Sequence, residues 1–181
     1  MPPILPAIFS LAQHLDTLCK VPGSYRPEMC PGCHHVGVWC HGCYTRKPDR
    51  KDLGEPCLNP VPILRFYCPE CHCTCSVLPE CIPPRSWYLW KVRQVIFLFL
   101  LAGESISHTL ASNGSRVSRT TIKRWWQSFK NRFQIFSFHL LTHFPCMGRH
   151  AGFTKFWTAL LAMRPLSSAM RLLNDEGVSV P

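Results

Sequence analysis

The chain has 181 residues, 46% of them hydrophobic, with 12 cysteines and a formal net charge of +10. That length allows one modest domain or two small ones, and no apolar run reaches the roughly 18 residues that span a membrane, so no membrane partner is expected. Met1 to Lys20 has no basic start and is broken by Pro2, Pro3 and Pro6, which is not the pattern of a secretory leader. The expectation is a cytoplasmic, reducing setting in which paired cysteines bind metal rather than form disulfides.

Residues 1–24 hold one short amphipathic helix. In residues 7–20 (AIFSLAQHLDTLCK), Ile8, Leu11, Leu15 and Leu18 fall at helical spacing, and Pro22-Gly23 stops the run. His14 and Cys19 are expected to pack rather than to bind.

Residues 25–81 read as a zinc-ribbon module. Cys30-Pro31-Gly32-Cys33 and Cys68-Pro69-Glu70-Cys71 each offer two sulfurs from a tight turn. Together Cys30, Cys33, Cys68 and Cys71 complete the closed tetrahedral set of a structural zinc ion. A pair of disulfides or reduced core thiols is the other reading. The 34 intervening residues leave room for strands running away from each knuckle. Val36 to Trp39 has strand composition, His41-Gly42 can turn, and Tyr44-Thr45-Arg46 can return as a second strand. Residues 47–60 are a polar, Pro- and Gly-rich loop. Ile63 to Tyr67 leads into the second knuckle and Thr74 to Leu78 leaves it. Cys40, Cys43, Cys73 and Cys75 offer a possible second metal site; alternatively they are small residues on the strands. His34, His35 and His72 are expected on the surface, and Cys57 and Cys81 have no evident partner.

Residues 79–86 (PECIPPRS) contain three prolines and no periodicity, with the linker proper at 82–86. Residues 87–133 then read as three helices. The first runs from Trp87 to about Ala102, is strongly apolar, and ends at Gly103. A short one spans about Glu104 to Ala111. The third covers about Ser118 to Phe133, with Ser115 or Ser118 as its cap. At about 100° per residue, Thr120, Lys123, Arg124, Gln127, Lys130 and Asn131 share one arc. Ile122, Trp125, Trp126, Phe129 and Phe133 share the opposite one, a clear amphipathic division.

The charge is segregated along the chain. Residues 105–174 carry ten Lys or Arg and no Asp or Glu, whereas ordinary solvated surfaces mix both signs. That is the footprint of a phosphate-facing surface. A short helix, a turn and a basic amphipathic helix together suggest a helix-turn-helix on double-stranded DNA. Arg119, Thr120, Lys123, Arg124 and Gln127 are the candidate base and backbone contacts, with Arg116 and Lys130 as phosphate clamps. A basic surface helix that packs through its tryptophans is the plain alternative.

Residues 134–181 add C-terminal helices and a tail. The first is ended by Pro145, and Phe153 to Met163 forms another; both should cover the apolar side of the preceding three. His139 and His143 lie four apart, which is metal-ligand spacing, but the sequence offers no third ligand. The expected class is α+β: a zinc-ribbon β module, then an all-α, homeodomain-like helix-turn-helix unit with C-terminal helices.

The run CPGC…GVWCHGCYTR…RFYCPECHCTCSVLP, followed by a helix-turn-helix, resembles bacterial insertion-element proteins of a transposase-related family. The resemblance covers roughly residues 25–133, with the two knuckles, His41-Gly42, Arg46 and Ser76-Val77-Leu78-Pro79 as landmarks. It implies recognition of element ends or of an operator. Strand transfer in such families needs converging metal-binding carboxylates. Here no acid lies between Ser105 and Asn174, and no phosphate loop or nucleophile constellation appears. The sequence therefore reads as a non-enzymatic DNA binder of a mobile element, truncated or accessory. It could work as a homodimer or beside a partner transposase chain that holds the carboxylates. The alternative is a zinc-ribbon protein recruited to RNA or to another protein.

Overall fold

Ser10 starts the first helix. Its hydroxyl accepts from the Gln13 amide at 3.1 Å, and the Gln13 side chain accepts from the Ser10 amide at 3.1 Å, a reciprocal capping box that opens α1 (Leu11–Lys20). The helix thus begins four residues later than the periodicity predicts; Ile8 is buried without being helical. The computed structural model describes residues 2–48, 58–112 and 117–181. The chain is mixed α and β and divides into two units, Met1–Leu89 and Trp90–Pro181.

In the first unit, β2 (Trp39–Arg46), β3 (Val61–Tyr67) and β4 (Thr74–Ser76) form an antiparallel sheet in that order. The short β1 (Ile4–Leu5) pairs in parallel with β5 (Leu78–Pro79), a pairing the sequence pattern did not announce. One expectation is corrected here. His41-Gly42 does not turn the chain back between two strands: β2 runs straight through it. Pairing passes from Cys40 opposite Phe66 to Cys43 opposite Leu64, so β2 carries one extra residue. Gly42, at φ +76°, accommodates that bulge. Val36 contributes only an isolated bridge to Met29.

Two apolar clusters fill this unit. One gathers Ile8, Tyr25, Val38, Phe66 and Val77 around Cys30 and Cys68; the other gathers Leu11, Val61, Ile63, Leu78, Cys81 and Ile82. Segment 82–86 packs on the same unit: Ile82 is fully buried, and Arg46 Nη2 donates to the carbonyls of Pro83 (3.3 Å) and Ser86 (2.7 Å). His14 is fully buried between α1 and the sheet. Its Nε2 faces the Pro62 carbonyl at 2.8 Å, which can only accept, so Nε2 carries the proton and Nδ1 accepts from the Tyr25 hydroxyl. Burial pushes the His14 pKa below 6.5, so the ring is neutral in the fold.

The second unit is helical: α2 (Trp90–Leu101), α3 (Ile106–Ser112), α4 (Arg119–Asn131), α5 (Phe133–His143), α6 (Phe153–Met163) and α7 (Leu166–Asp175). Gly103, at φ +89°, lets the chain leave α2, and Ser118 caps α4 by accepting from Thr121 N–H at 3.2 Å. One core unites α2, α4, α5, α6 and α7, so the C-terminal helices cover the apolar side of the earlier ones. At its centre Phe97 stacks on Phe129 at 4.4 Å and meets Trp126 and Trp157 edge-on, each at 5.5 Å. No helix of the described residues is long and apolar enough to cross a membrane.

Replacing His14 by Gln disturbs two buried hydrogen bonds and is expected to cost about 1–3 kcal/mol at pH 7.5. The wild-type ring must stay neutral, so its contribution is complete above pH 6.5 and declines as pH falls below it. Chemical denaturation of both proteins at pH 7.5 and 5.5 should therefore show the deficit narrowing on acidification. A deficit that widens contradicts a neutral, buried His14.

Candidate metal centre and basic groove

The two cysteine knuckles share one backbone design. The amide of Cys30 donates to His35 O at 2.8 Å, and the amide of Cys68 donates to Cys73 O at 2.9 Å, each closing the loop five residues on. The residue just before each closure, His34 or His72, takes a left-handed φ of 61° or 56°. The first knuckle precedes β2 and the second lies between β3 and β4, so the sheet brings the two together. Cys30 Sγ lies 3.7 Å from Cys71 Sγ, and Cys33 Sγ lies 3.5 Å from Cys68 Sγ. A disulfide would need about 2.05 Å. A tetrahedral ion with sulfurs at about 2.3 Å places them about 3.8 Å apart. All four ligand atoms lie within 4.8 Å of one another, so Cys30, Cys33, Cys68 and Cys71 can hold one metal ion.

The electrostatics favour that use. The N–H groups of Cys33 and Gly32 point at the Cys30 sulfur and bring its pKa down to about 6. The Cys73 amide favours the Cys71 thiolate, but burial and the three other sulfurs outweigh it and push that thiol up. Four sulfurs this close cannot all ionise without a cation among them. Cys30 and Cys68 are themselves core residues, so the centre grows directly out of the apolar cluster beneath it.

Cys40, Cys43, Cys73 and Cys75 are not gathered in the same way. Cys40 and Cys43 sit on the extended, bulged β2 rather than on a turn, and both are exposed. Among the described residues only the Cys30–Cys33–Cys68–Cys71 set converges within 4.8 Å. Beside it, His41 and His72 flank the Tyr67 ring at 5.8 and 6.2 Å, and Trp39 lies at 6.2 Å.

On α4 the expected division of faces is observed: Ile122, Trp125 and Phe129 are buried, and Arg119, Thr120, Lys123, Arg124, Gln127 and Lys130 are exposed. Thr120, Lys123, Arg124 and Gln127 line one groove of about 510 Å³. Ser128, Asn131 and Arg132 line it too; Asn131 shares the polar arc of the helix, so the wheel already contained it, whereas Arg132 lies beyond the helix end. Gln127 donates to Asn131 at 2.7 Å, which fixes the two amides together. Arg119 turns instead toward α3, where it donates to Ser107 Oγ at 3.3 Å. Lys130 lies over the Trp126 ring at 4.9 Å. Arg116 falls outside the described residues.

Arg93 of α2 lies buried between the rings of Trp90 (4.9 Å) and Trp125 (4.6 Å) and donates to a main-chain oxygen of Pro181. Burial, then the Arg124 charge, lowers its pKa to about 9. The sequence places this cation just before the apolar run Val95 to Ala102 and gives no sign of its burial against the inner side of α4. The chain matches no family model, and no curated protein and no solved structure is significantly similar to it.

Removing one sulfur leaves three ligands and should abolish tight metal binding. Cys68→Ser is expected to lose the intense sulfur-to-metal charge-transfer band that cobalt gives when added to the wild type, and to loosen the first unit. Chelation of the wild type should leave most helical circular dichroism in place, because the second unit has its own core. Complete loss of helical signal on chelation contradicts that independence.

Proposed function

We propose that this chain is a DNA-binding protein whose first unit is a zinc ribbon folded around Cys30, Cys33, Cys68 and Cys71. Zinc suits a closed set of four thiolates, which supplies folding free energy rather than chemistry. The reading of the second unit rests on one observation. An open face of hydroxyl, amide and cation side chains runs along α4 in a stretch of chain without acids.

In this reading α3 and α4 form a helix-turn-helix, and Arg119, bonded to Ser107, fastens the start of the recognition helix. Lys123 and Arg124 meet phosphate or guanine edges, and the coupled Gln127 and Asn131 amides suit adenine. Trp125 and Phe129 anchor the helix from behind, so the polar face is presented on a rigid support. The resemblance to insertion-element proteins supports placing the chain among transposase-related DNA binders. Carboxylates for strand transfer would then come from another chain.

A second reading is favoured by the cluster of exposed Trp39, His41 and His72 rings around the half-buried Tyr67 on the ribbon. Such rings suit stacking with unpaired bases. The two readings separate in one experiment. Duplex and single-stranded DNA binding is measured across a salt series for wild type and for Lys123→Ala/Arg124→Ala. Duplex binding by α4 predicts a steep salt dependence whose slope drops by about two in the double variant. Binding confined to single strands, with no effect of the double variant, overturns the α4 assignment and moves function to the ribbon.

A further inference from the structure

His139 and His143 stand on one face of α5, and the fold supplies what their spacing lacked. Glu176, immediately after α7, reaches both: one carboxylate oxygen faces His139 Nδ1 and the other faces His143 Nε2. Thr142 Oγ1, between them in sequence, lies 3.4 Å from the same carboxylate. We propose that His139, His143 and Glu176 form a second metal site, separate from the four-cysteine centre, for a divalent ion of the zinc, cobalt or nickel type.

Three arguments carry this. The ligand set is two imidazoles four residues apart on a helix plus a carboxylate from another element, three protein ligands with a position left for water. Imidazoles favour zinc, cobalt and nickel over magnesium and calcium, which prefer oxygen alone. The side chains are 29%, 37% and 28% exposed, so an ion and its water can enter while the backbone on either side is fixed by helix packing. The neighbouring acid does not compete, since Asp175 is paired with Arg171 at 2.7 Å.

The three groups are gathered less closely than the four sulfurs, the only described set with all ligand atoms within 4.8 Å. The carboxylate stands between the rings, and the imidazoles must turn to face a common ion. The site is therefore weaker than the cysteine centre and fills second. Filling it would pin the end of α7 to α5, independently of any nucleic acid.

The test is a titration of the untagged full chain with zinc or cobalt, read by native mass spectrometry and by absorption. The wild type is expected to take two ions. The first gives sulfur-to-cobalt charge transfer; the second adds weak ligand-field bands without it. Glu176→Gln keeps a hydrogen-bonding side chain, so a mere clasp survives while a metal ligand is lost. It should weaken the second ion by at least the 10–100-fold (an order-of-magnitude range) lost when even an outer partner of a ligand is removed, and leave the first unchanged. His139→Ala should do the same, with helical circular dichroism confirming the fold of both variants. Uptake of a single ion by the wild type overturns the proposal. So does a second ion held equally well by both variants.

Discussion

The first unit depends on the convergence of four sulfurs. Three of its strands have only two or three residues and a fourth is bulged, so backbone pairing alone offers little to hold two distant loops in register. Each knuckle is closed by its own backbone amide, and the antiparallel pairing of β2 with β3 and of β3 with β4 brings the two turns to within sulfur-contact distance. Cys30 and Cys68 then serve two ends at once, as ligands above and as core residues below. A small apolar core and a crowded set of thiolates are each marginal alone. Joined, the core orients the sulfurs, and a bound cation would remove the repulsion that crowding creates.

The second unit is organised by a different economy, in which aromatic packing sets electrostatics free. Its centre is a set of Phe and Trp rings from α2, α4, α5 and α6 in edge-on and stacked contact. Because those rings anchor α4 firmly, its opposite face needs no ion pairs for stability. It can carry uncompensated cations and amides. Even Arg93, sunk between two tryptophans, is held by ring faces and an oxygen of Pro181. The few acids at the end of the chain are then used locally, Asp175 on Arg171 and Glu176 on two histidines. A basic surface remains over the groove.

Much of this was legible in the sequence, and the legible parts share a cause. The Cys-x-x-Cys knuckles, the Ser118 cap, the stop at Gly103 and the two faces of α4 are all decided within about five residues along the chain. Local sterics and local hydrogen bonds act there without reference to the rest of the fold. The metal-ligand spacing and the polar arc of α4 could be read for the same reason.

What went unread needed contacts distant in sequence. His41-Gly42 looks like a turn by composition, yet pairing with β3 keeps the chain extended and converts the glycine into a bulge. That choice also denies Cys40 and Cys43 the knuckle geometry their spacing suggests. The burial of Arg93 just before an apolar run was equally invisible, as was the parallel pairing of Ile4-Leu5 with Leu78-Pro79. His139 and His143 were apparent as a pair, but their carboxylate partner lies 33 residues beyond the second of them. By itself the sequence determined the local units and their chemistry, because turns, caps and helix faces are short-range. Only the tertiary structure decided which of those units meet, because that depends on strand register and core packing between segments far apart in the chain.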